Sequence, residues 1–224
     1  DNRLVIDYRG LLNAQEFLFA RYYMYWQVYF HKTTRGFEML LKAVWKRAKE
    51  LAADNTLPVD GLSRTLKDVI TQGDREPSTR QYLDLDNHDI YVALKAWSGC
   101  NDVILSDLAR RLLRRDLLKP IEIINSADML LSRQAQIHDI VANAGFDPYY
   151  YVLYDATSNV QYDYYIGGDD ESDKQPIFVR RPNGRLEEIS RQSEAIRAIA
   201  GRRETKIRIY VPAECREQVA RLLT

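Results

Sequence analysis

Cysteine is scarce in this sequence, and so is any imbalance of charge. Only two cysteines, Cys100 and Cys215, occur in 224 residues, far apart and in unrelated contexts. That argues against a disulfide framework or a zinc cluster and makes a reducing, cytoplasmic setting the expectation. Lys plus Arg and Asp plus Glu both number 32, so the net charge is zero. Bulk electrostatic binding to nucleic acid or to an anionic membrane is therefore disfavoured, although a local patch can hide within such a balance. No apolar run approaches the roughly 20 residues of a membrane span, and no signal-peptide pattern is present. A glycine-rich phosphate loop is missing as well, because the run "GGDDESD" is too acidic to cradle phosphate. The chain opens on "DNRLVIDYRG" without Met, so the expectation is a piece of a longer protein, with part of its chemistry elsewhere.

What is present is an ordinary globular balance, with 46% hydrophobic and 29% charged residues. The length suits one large domain or two small ones with a real core. "RLVIDY" reads as a short strand. From Leu11 to about Ala53 there is no Pro and a single Gly, Gly36. Phe37, Leu40, Leu41, Val44 and Ala48 recur there at helical spacing, which predicts a long helix, with Gly36 the place to break it. "LSRTLKDVITQGDREPSTR" reads as a short helix and a loop. "LDLDNHDIYVALKAWSG" places Asp86 as an N-cap and Asp89 three residues on, with Ile90, Leu94 and Trp97 along one stripe. "NDVILSDLARRLLRRDLL" is a further amphipathic helix.

Beyond Pro120 the pattern changes. "IEIIN" reads as a strand, and "SADMLLSRQAQIHDIVANAG" as a helix capped by Ser126 and closed by Gly145. "YYYVLYDA" reads as a strand and "YDYYIGGDDESDKQ" as a loop. "PIFVRRPNGRLEEI" is a hairpin turning at Asn183–Gly184. "RQSEAIRAIAG" is a helix, "TKIRIYVP" a strand and "AECREQVARLLT" a last helix. The fold class is thus a mainly α N-terminal half, 1–119, with a small α+β C-terminal unit, 120–224.

The most unusual stretch is "RYYMYWQVYFHK", Arg21 to Lys32, in which six of twelve residues are Tyr, Trp or Phe. On a helix of about 100° per residue, Arg21, Tyr25, Val28, Tyr29 and Lys32 share one arc. Tyr22, Trp26 and Phe30 occupy a neighbouring arc that can enter a core. A guanidinium, two phenols and an ammonium on one face suit a nucleotide: a planar fork and a point charge for phosphate, rings for sugar or base. An aromatic core stripe with snorkelling cations accounts for the same pattern. "RRLLRRDLLK" carries five cations from Arg110 to Lys119. Arg115 and Lys119, one turn apart, can face one anion, or the run can be a solvated helix face. His88–Asp89 and His138–Asp139 are two His–Asp pairs. A metal site drawn from His31, His88, Asp89 and Asp128 competes with a plain helix cap at "DNHD" and a helix interior at "IHDI".

"ARYYMYWQVYFHK", "YLDLDNHDIYVALKAW" with "DVILSDLARRLLRRDLLK", and "TKIRIYVPAECREQVARLL" together resemble the HD-domain deoxynucleoside triphosphate triphosphohydrolases. That family includes bacterial HD-superfamily phosphohydrolases and the mammalian SAM- and HD-domain enzyme. The resemblance covers most of the chain, and its first motif and the 83–119 block are the most specific parts. It implies hydrolysis of a dNTP to a deoxynucleoside and triphosphate, dGTPase-like chemistry, in a homo-oligomer regulated by nucleotides. It also implies a divalent or transition metal held by His, His–Asp and Asp residues upstream of this chain, none of them in it. Alone, the chain is then expected to be inactive.

By the resemblance, Arg21 grips substrate phosphate and Tyr29 packs at the deoxyribose. Tyr25 stands where some members carry a His near the scissile phosphate. A phenol there can hydrogen-bond phosphate but is a poor acid at neutral pH, so no residue is assigned an outright catalytic role. Phe30 replaces a polar residue of some members. His31, Lys32, Arg115, Lys119 and Arg180 match regulatory nucleotide contacts. The rival functions are a non-catalytic module for nucleotides or single-stranded nucleic acid, and an oligomerisation domain.

Overall fold

The structure, a computed structural model, describes residues 4–73, 75–123, 127–160, 176–201 and 203–223. In chain order the elements are β1 (Val5–Asp7), a 3-10 turn (Tyr8–Gly10), α1 (Leu11–Met24), a π-helical turn (Tyr25–Tyr29) and α2 (Lys32–Ala53). Four helices follow: α3 (Arg64–Thr71), α4 (Thr79–Asp84), α5 (Asn87–Trp97) and α6 (Val103–Arg114). Then come β2 (Lys119–Ile123), α7 (Ala127–Asn143), α8 (Pro148–Tyr151), β3 (Leu153–Val160), β4 (Phe178–Arg180) and β5 (Leu186–Glu188). The chain closes with α9 (Ile189–Gln192), α10 (Glu194–Ile199), β6 (Arg203–Val211), a 3-10 turn (Ala213–Cys215) and α11 (Arg216–Leu222). The expected class holds, helices first and a small mixed portion after. No helix among the described residues is long and apolar enough to cross a membrane.

The contacts do not group sequentially at 119/120. One compact unit comprises Asp1–His31 with Ala156–Lys206, and the other Lys32–Asp155 with Ile207–Thr224. The 119/120 point falls inside the second unit, at the start of β2. In the first unit β1 pairs in parallel with β4, and β4 pairs antiparallel with β5. The β4–β5 hairpin turns at Asn183–Gly184 as the sequence predicts. Gly184 has a positive φ of 80° there, which its lack of a Cβ permits. Leu18 of α1 packs with Val179, Ile189 and Ile196 into a small core.

The second unit holds the larger core. Leu40, Val44 and Ala48 of α2 are buried as their spacing requires, whereas Phe37 and Leu41 lie at its edge. Leu94 and Trp97 of α5 and Leu105, Leu108 and Leu112 of α6 belong to it as well. Each such side chain contributes about 1.5–3 kcal/mol by leaving water. The Trp97 indole N–H donates to the Pro58 carbonyl at 3.0 Å, so this buried donor is satisfied. Asp86 caps α5 by accepting from the amides of His88 and Asp89, and the Asp89 carboxylate accepts from the Asp86 amide. The "DNHD" string is therefore a reciprocal capping box.

Several expected elements differ. "Leu11 to Ala53" is not one helix, and its break is not at Gly36. The π turn ends at Phe30, whose amide donates to the Tyr25 carbonyl at 2.8 Å, and α2 restarts at Lys32. The wide turn lets Trp26 and Phe30 meet edge to face at 5.5 Å with Phe30 buried. Gly36 stays within α2, where its missing side chain admits the Tyr210 ring. The expected loop around "PSTR" contains α4, which Ser78 and Gln81 start with a second capping box. "YYYV" begins as the helical turn α8, capped by Asp147, before β3. "RQSEAIRAIAG" is two helices, because Ser193 leaves α9 and caps α10. The Ser126 cap and the "GGDDESD" run lie outside the described residues.

Candidate functional site

In the first unit, α1 and the π turn bring three of the expected substrate residues together. The Arg21 guanidinium donates to the Tyr25 hydroxyl at 3.2 Å and lies 4.8 Å from that ring's centroid. The Tyr25 and Tyr29 rings are 5.1 Å apart. Tyr29 is 50% exposed, so its ring is available to a ligand. Cation, phenol and ring form one continuous surface, and Arg21 and Tyr25 are each partly buried. The single-helix arc is interrupted by the π turn, and Lys32 begins α2, which belongs to the other unit. His31, exposed, is the last residue of the first unit. Arg180 is exposed on β4 opposite Asp7 in the parallel register, also in the first unit.

In the second unit, a cavity of about 680 Å³ collects Lys32, Arg115 and Lys119, three of the residues expected at a regulatory site. Their elements explain the convergence. Lys32 opens α2, while Arg115 ends α6 and Lys119 begins β2. Arg115 and Lys119 are thus not one helical turn apart, as the sequence suggests, yet both line the cavity. The α6 terminus is a Schellman closure: the Arg115 amide donates to Leu112 and the Asp116 amide to Arg111. The left-handed residue of that motif is Arg115 itself, at φ 56°. Glycine is usual at this position because any Cβ costs about 1 kcal/mol there.

Two of the three remaining cations of "RRLLRRDLLK" are tied to neighbours. Arg111 donates to Asp107 at 2.7 Å and sits near the Phe146 and Tyr151 rings. Arg110 donates to the Ser106 carbonyl at 3.1 Å. These two are structural, while Arg115 faces the cavity.

Two further cations line the same cavity and were not singled out from sequence: Arg208 on β6 and Arg216 at the start of α11. Arg208 is only 4% exposed and pairs across the β2–β6 ladder with Glu122, Nε to carboxylate at 3.5 Å. The available signal is "IRIYV", a cation inside a strand apolar on both sides of it, where burial of the charge demands a partner. On that strand Tyr210 is fully buried. Its hydroxyl donates to the Lys32 carbonyl at 3.1 Å. Burial pushes the Tyr210 phenol up to about 12.

The histidine of each His–Asp pair has a local partner. His88 is exposed with its Nδ1 3.1 Å from Asp86 in the capping box, and His138 faces the Tyr154 hydroxyl at 3.3 Å. Among the described residues no group of three or more His, Cys, Asp or Glu side chains fits a metal ion. The Asp128 side chain lies outside the described residues.

Residues 1–61 match the family model described as HD associated region. Over 218 residues the chain is 34% identical to the uncharacterized protein YwfO of Bacillus subtilis (strain 168), covering 96% of this chain and 48% of that protein. A phosphohydrolase from Bacteroides thetaiotaomicron VPI-5482 has a similar structure, with a TM-score of 0.74 and 26% identity over 94% of this chain and 52% of that one. A hypothetical protein from Aquifex aeolicus shares the fold at a TM-score of 0.55 and 20% identity, over 100% of this chain and 48% of that one. The chain therefore spans about half the length of the relatives it matches. The HD-associated match and the likeness to a phosphohydrolase together support a relationship to the HD superfamily.

Proposed function

We propose that this chain is the C-terminal part of a metal-dependent dNTP triphosphohydrolase, supplying substrate contacts and a regulatory nucleotide site. The observation that carries the reading is the Arg21–Tyr25–Tyr29 surface, with its 3.2 Å guanidinium-to-phenol bond and its half-exposed Tyr29 ring. The HD-associated match over the same residues supports it. Arg21 grips phosphate through its fork, Tyr25 adds a hydroxyl beside it, and Tyr29 packs on the sugar. The resemblance puts the metal ligands upstream of this chain, so the role assigned to this chain is binding and orientation. The cavity at Lys32, Arg115 and Lys119 is the effector site of the same reading.

The test is a pair of substitutions in the whole protein. Arg21→Ala lowers kcat/KM by roughly a hundredfold or more, the scale of a lost charge-assisted phosphate contact in the transition state. Lys32→Ala leaves unactivated turnover near the parent level and weakens activation by nucleotide. Equal effects of both on unactivated turnover would reject the division into two sites. An oligomerisation role is the second reading. It is favoured by the exposed Leu12, Phe17, Tyr23, Met24 and Val28 of α1 and the π turn. Sedimentation shows whether polar replacements there dissociate an oligomer without touching nucleotide binding.

A further inference from the structure

A second cavity, of about 540 Å³, lies within the second unit among α2, α3, α4 and the start of α5. It shares no lining residue with the basic cavity at Lys32, Arg115 and Lys119. Small-molecule pockets have this size, roughly 300–1,000 Å³. Leu66 and Ile70 of α3 line it and are only 3% exposed, so the cavity reaches down to the core. Leu85 and Ile90 add half-buried apolar surface. The apolar lining continues outward, because Tyr82 and Leu83 of α4 are 72% and 75% exposed. Burial of a hydrocarbon or aromatic body is favourable against such a lining.

The polar groups of the lining decide what charge that body carries. Two carboxylates, Asp86 and Asp89, stand against one ammonium, Lys49. The carboxylates are fixed by the α5 capping box. Asp86 Oδ1 accepts from the His88 and Asp89 amides at 2.7 and 3.2 Å, and Asp89 Oδ2 accepts from the Asp86 amide at 3.0 Å. The second Asp89 oxygen is bonded to no described residue, although Asp89 is half-buried. The His88 ring beside Asp86 holds that carboxyl below its ordinary 3.8, so it is charged at neutral pH. Lys49 is exposed, pairs with no described carboxylate and sits on a flexible stem. It can turn to water at little cost, whereas the carboxylates cannot leave. The Trp45 ring is fixed as well, edge to face with the buried Trp97 at 5.4 Å. Carboxylates and an indole ring both attract a cation.

We propose that this cavity binds a small amphiphilic amine, its apolar body on Leu66, Ile70 and Ile90 and its ammonium on Asp86 and Asp89. The ligand class is an aryl or alkyl group carrying one cation. The site stands apart from the proposed hydrolysis and from its effector cavity, so its failure leaves both untouched and theirs leaves it untouched.

Titration of the intact protein with three probes that share one ring system tests this: naphthylmethylammonium, naphthylmethanol and naphthoate. Calorimetry gives the affinities, and the Trp45 indole N–H resonance, assigned by its loss in Trp45→Phe, gives the place. The ammonium probe moves that resonance and binds roughly tenfold more tightly than naphthoate, with the alcohol between them. Added salt weakens the ammonium probe and leaves the alcohol unchanged. Asp89→Asn keeps an acceptor for the Asp86 amide and removes the charge. It weakens the ammonium probe several-fold and leaves the alcohol unchanged.

Naphthoate binding as tightly as the ammonium probe would overturn the proposal, and so would ammonium binding that leaves the Trp45 resonance in place. The salt comparison uses the unaltered protein, so equal salt dependence of the ammonium probe and the alcohol would overturn it even were Asp89→Asn to unfold. A Trp45 resonance that answers only to a basic amphipathic peptide would assign the groove to a protein partner instead. One that moves only on dilution of the protein would assign it to a second copy, and either result would overturn the proposal.

Discussion

At the scale of single residues, the decisive feature is how each cation is held. Arg47 and Asp102 show the structural kind. The Arg47 guanidinium donates twice to Asp102, at 2.6 and 3.2 Å, and also reaches the Tyr150 hydroxyl at 3.3 Å. Arg47 holds the Asp102 carboxyl below its ordinary 3.8. A folded value below the unfolded one gives stability that is present above the unfolded value and lost as pH falls through the folded one. Denaturant midpoints are therefore expected to drop on acidification below about pH 4, where the unfolded carboxyl titrates. Asp102→Asn keeps the α6 cap on the Leu105 amide, costs about 1–2 kcal/mol at pH 7 and flattens this acid limb.

Arg115 is held differently, on a left-handed backbone beside the cavity. Arg115→Gly relieves its left-handed backbone and is expected to leave stability unchanged or raise it by about 1 kcal/mol. Anion binding falls in the same variant, as equilibrium unfolding and titration on one preparation would record. The two kinds were only partly legible in "RRLLRRDLLK". Spacing shows which cations share a helix face, but not that α6 stops at Arg114 and turns Arg115 aside. Arg208 escaped because its meaning lies in its cross-strand partner, 86 positions away in the chain at Glu122.

At the scale of elements, the meeting of β6 with the first turns of α2 sets the cavity floor. A Cβ on Gly36 would lie 2.9 Å from the Tyr210 ring, which is fully buried and tied to the Lys32 carbonyl. Gly36→Ala gains about 1 kcal/mol of helix propensity but forces a packed ring to move, which costs about 1–3 kcal/mol. A net loss of thermal stability together with weaker anion binding is expected, and Tyr210→Leu as a second change recovers the stability.

The helices were readable because their signals are local. The Asp86 capping box, the α2 stripe at Leu40, Val44 and Ala48, and the Asn183–Gly184 turn all appear where the sequence places them. The π turn was not readable. Periodicity counts every residue as 100° of rotation, and one wide turn at Tyr25–Tyr29 shifts everything after it. Arg21, Tyr25 and Tyr29 still meet within the first unit.

At the scale of the whole molecule, two compact units interleave along the chain, and the two candidate sites fall one in each. The first carries Arg21, Tyr25 and Tyr29, and the second carries the basic cavity. No periodicity reports such interleaving, because it depends on which distant strands pair. In the proposed function the first unit grips substrate and the second binds a regulatory anion, within a longer metal-dependent enzyme.

One measurement tests that account most directly: product analysis of dNTP turnover by the whole protein with divalent metal added. The account predicts deoxynucleoside and intact triphosphate in equal amounts, formed roughly a hundredfold or more less efficiently by Arg21→Ala, and no turnover by the 224-residue chain alone. Stepwise release of single phosphates, or metal-dependent hydrolysis by this chain alone, would contradict it.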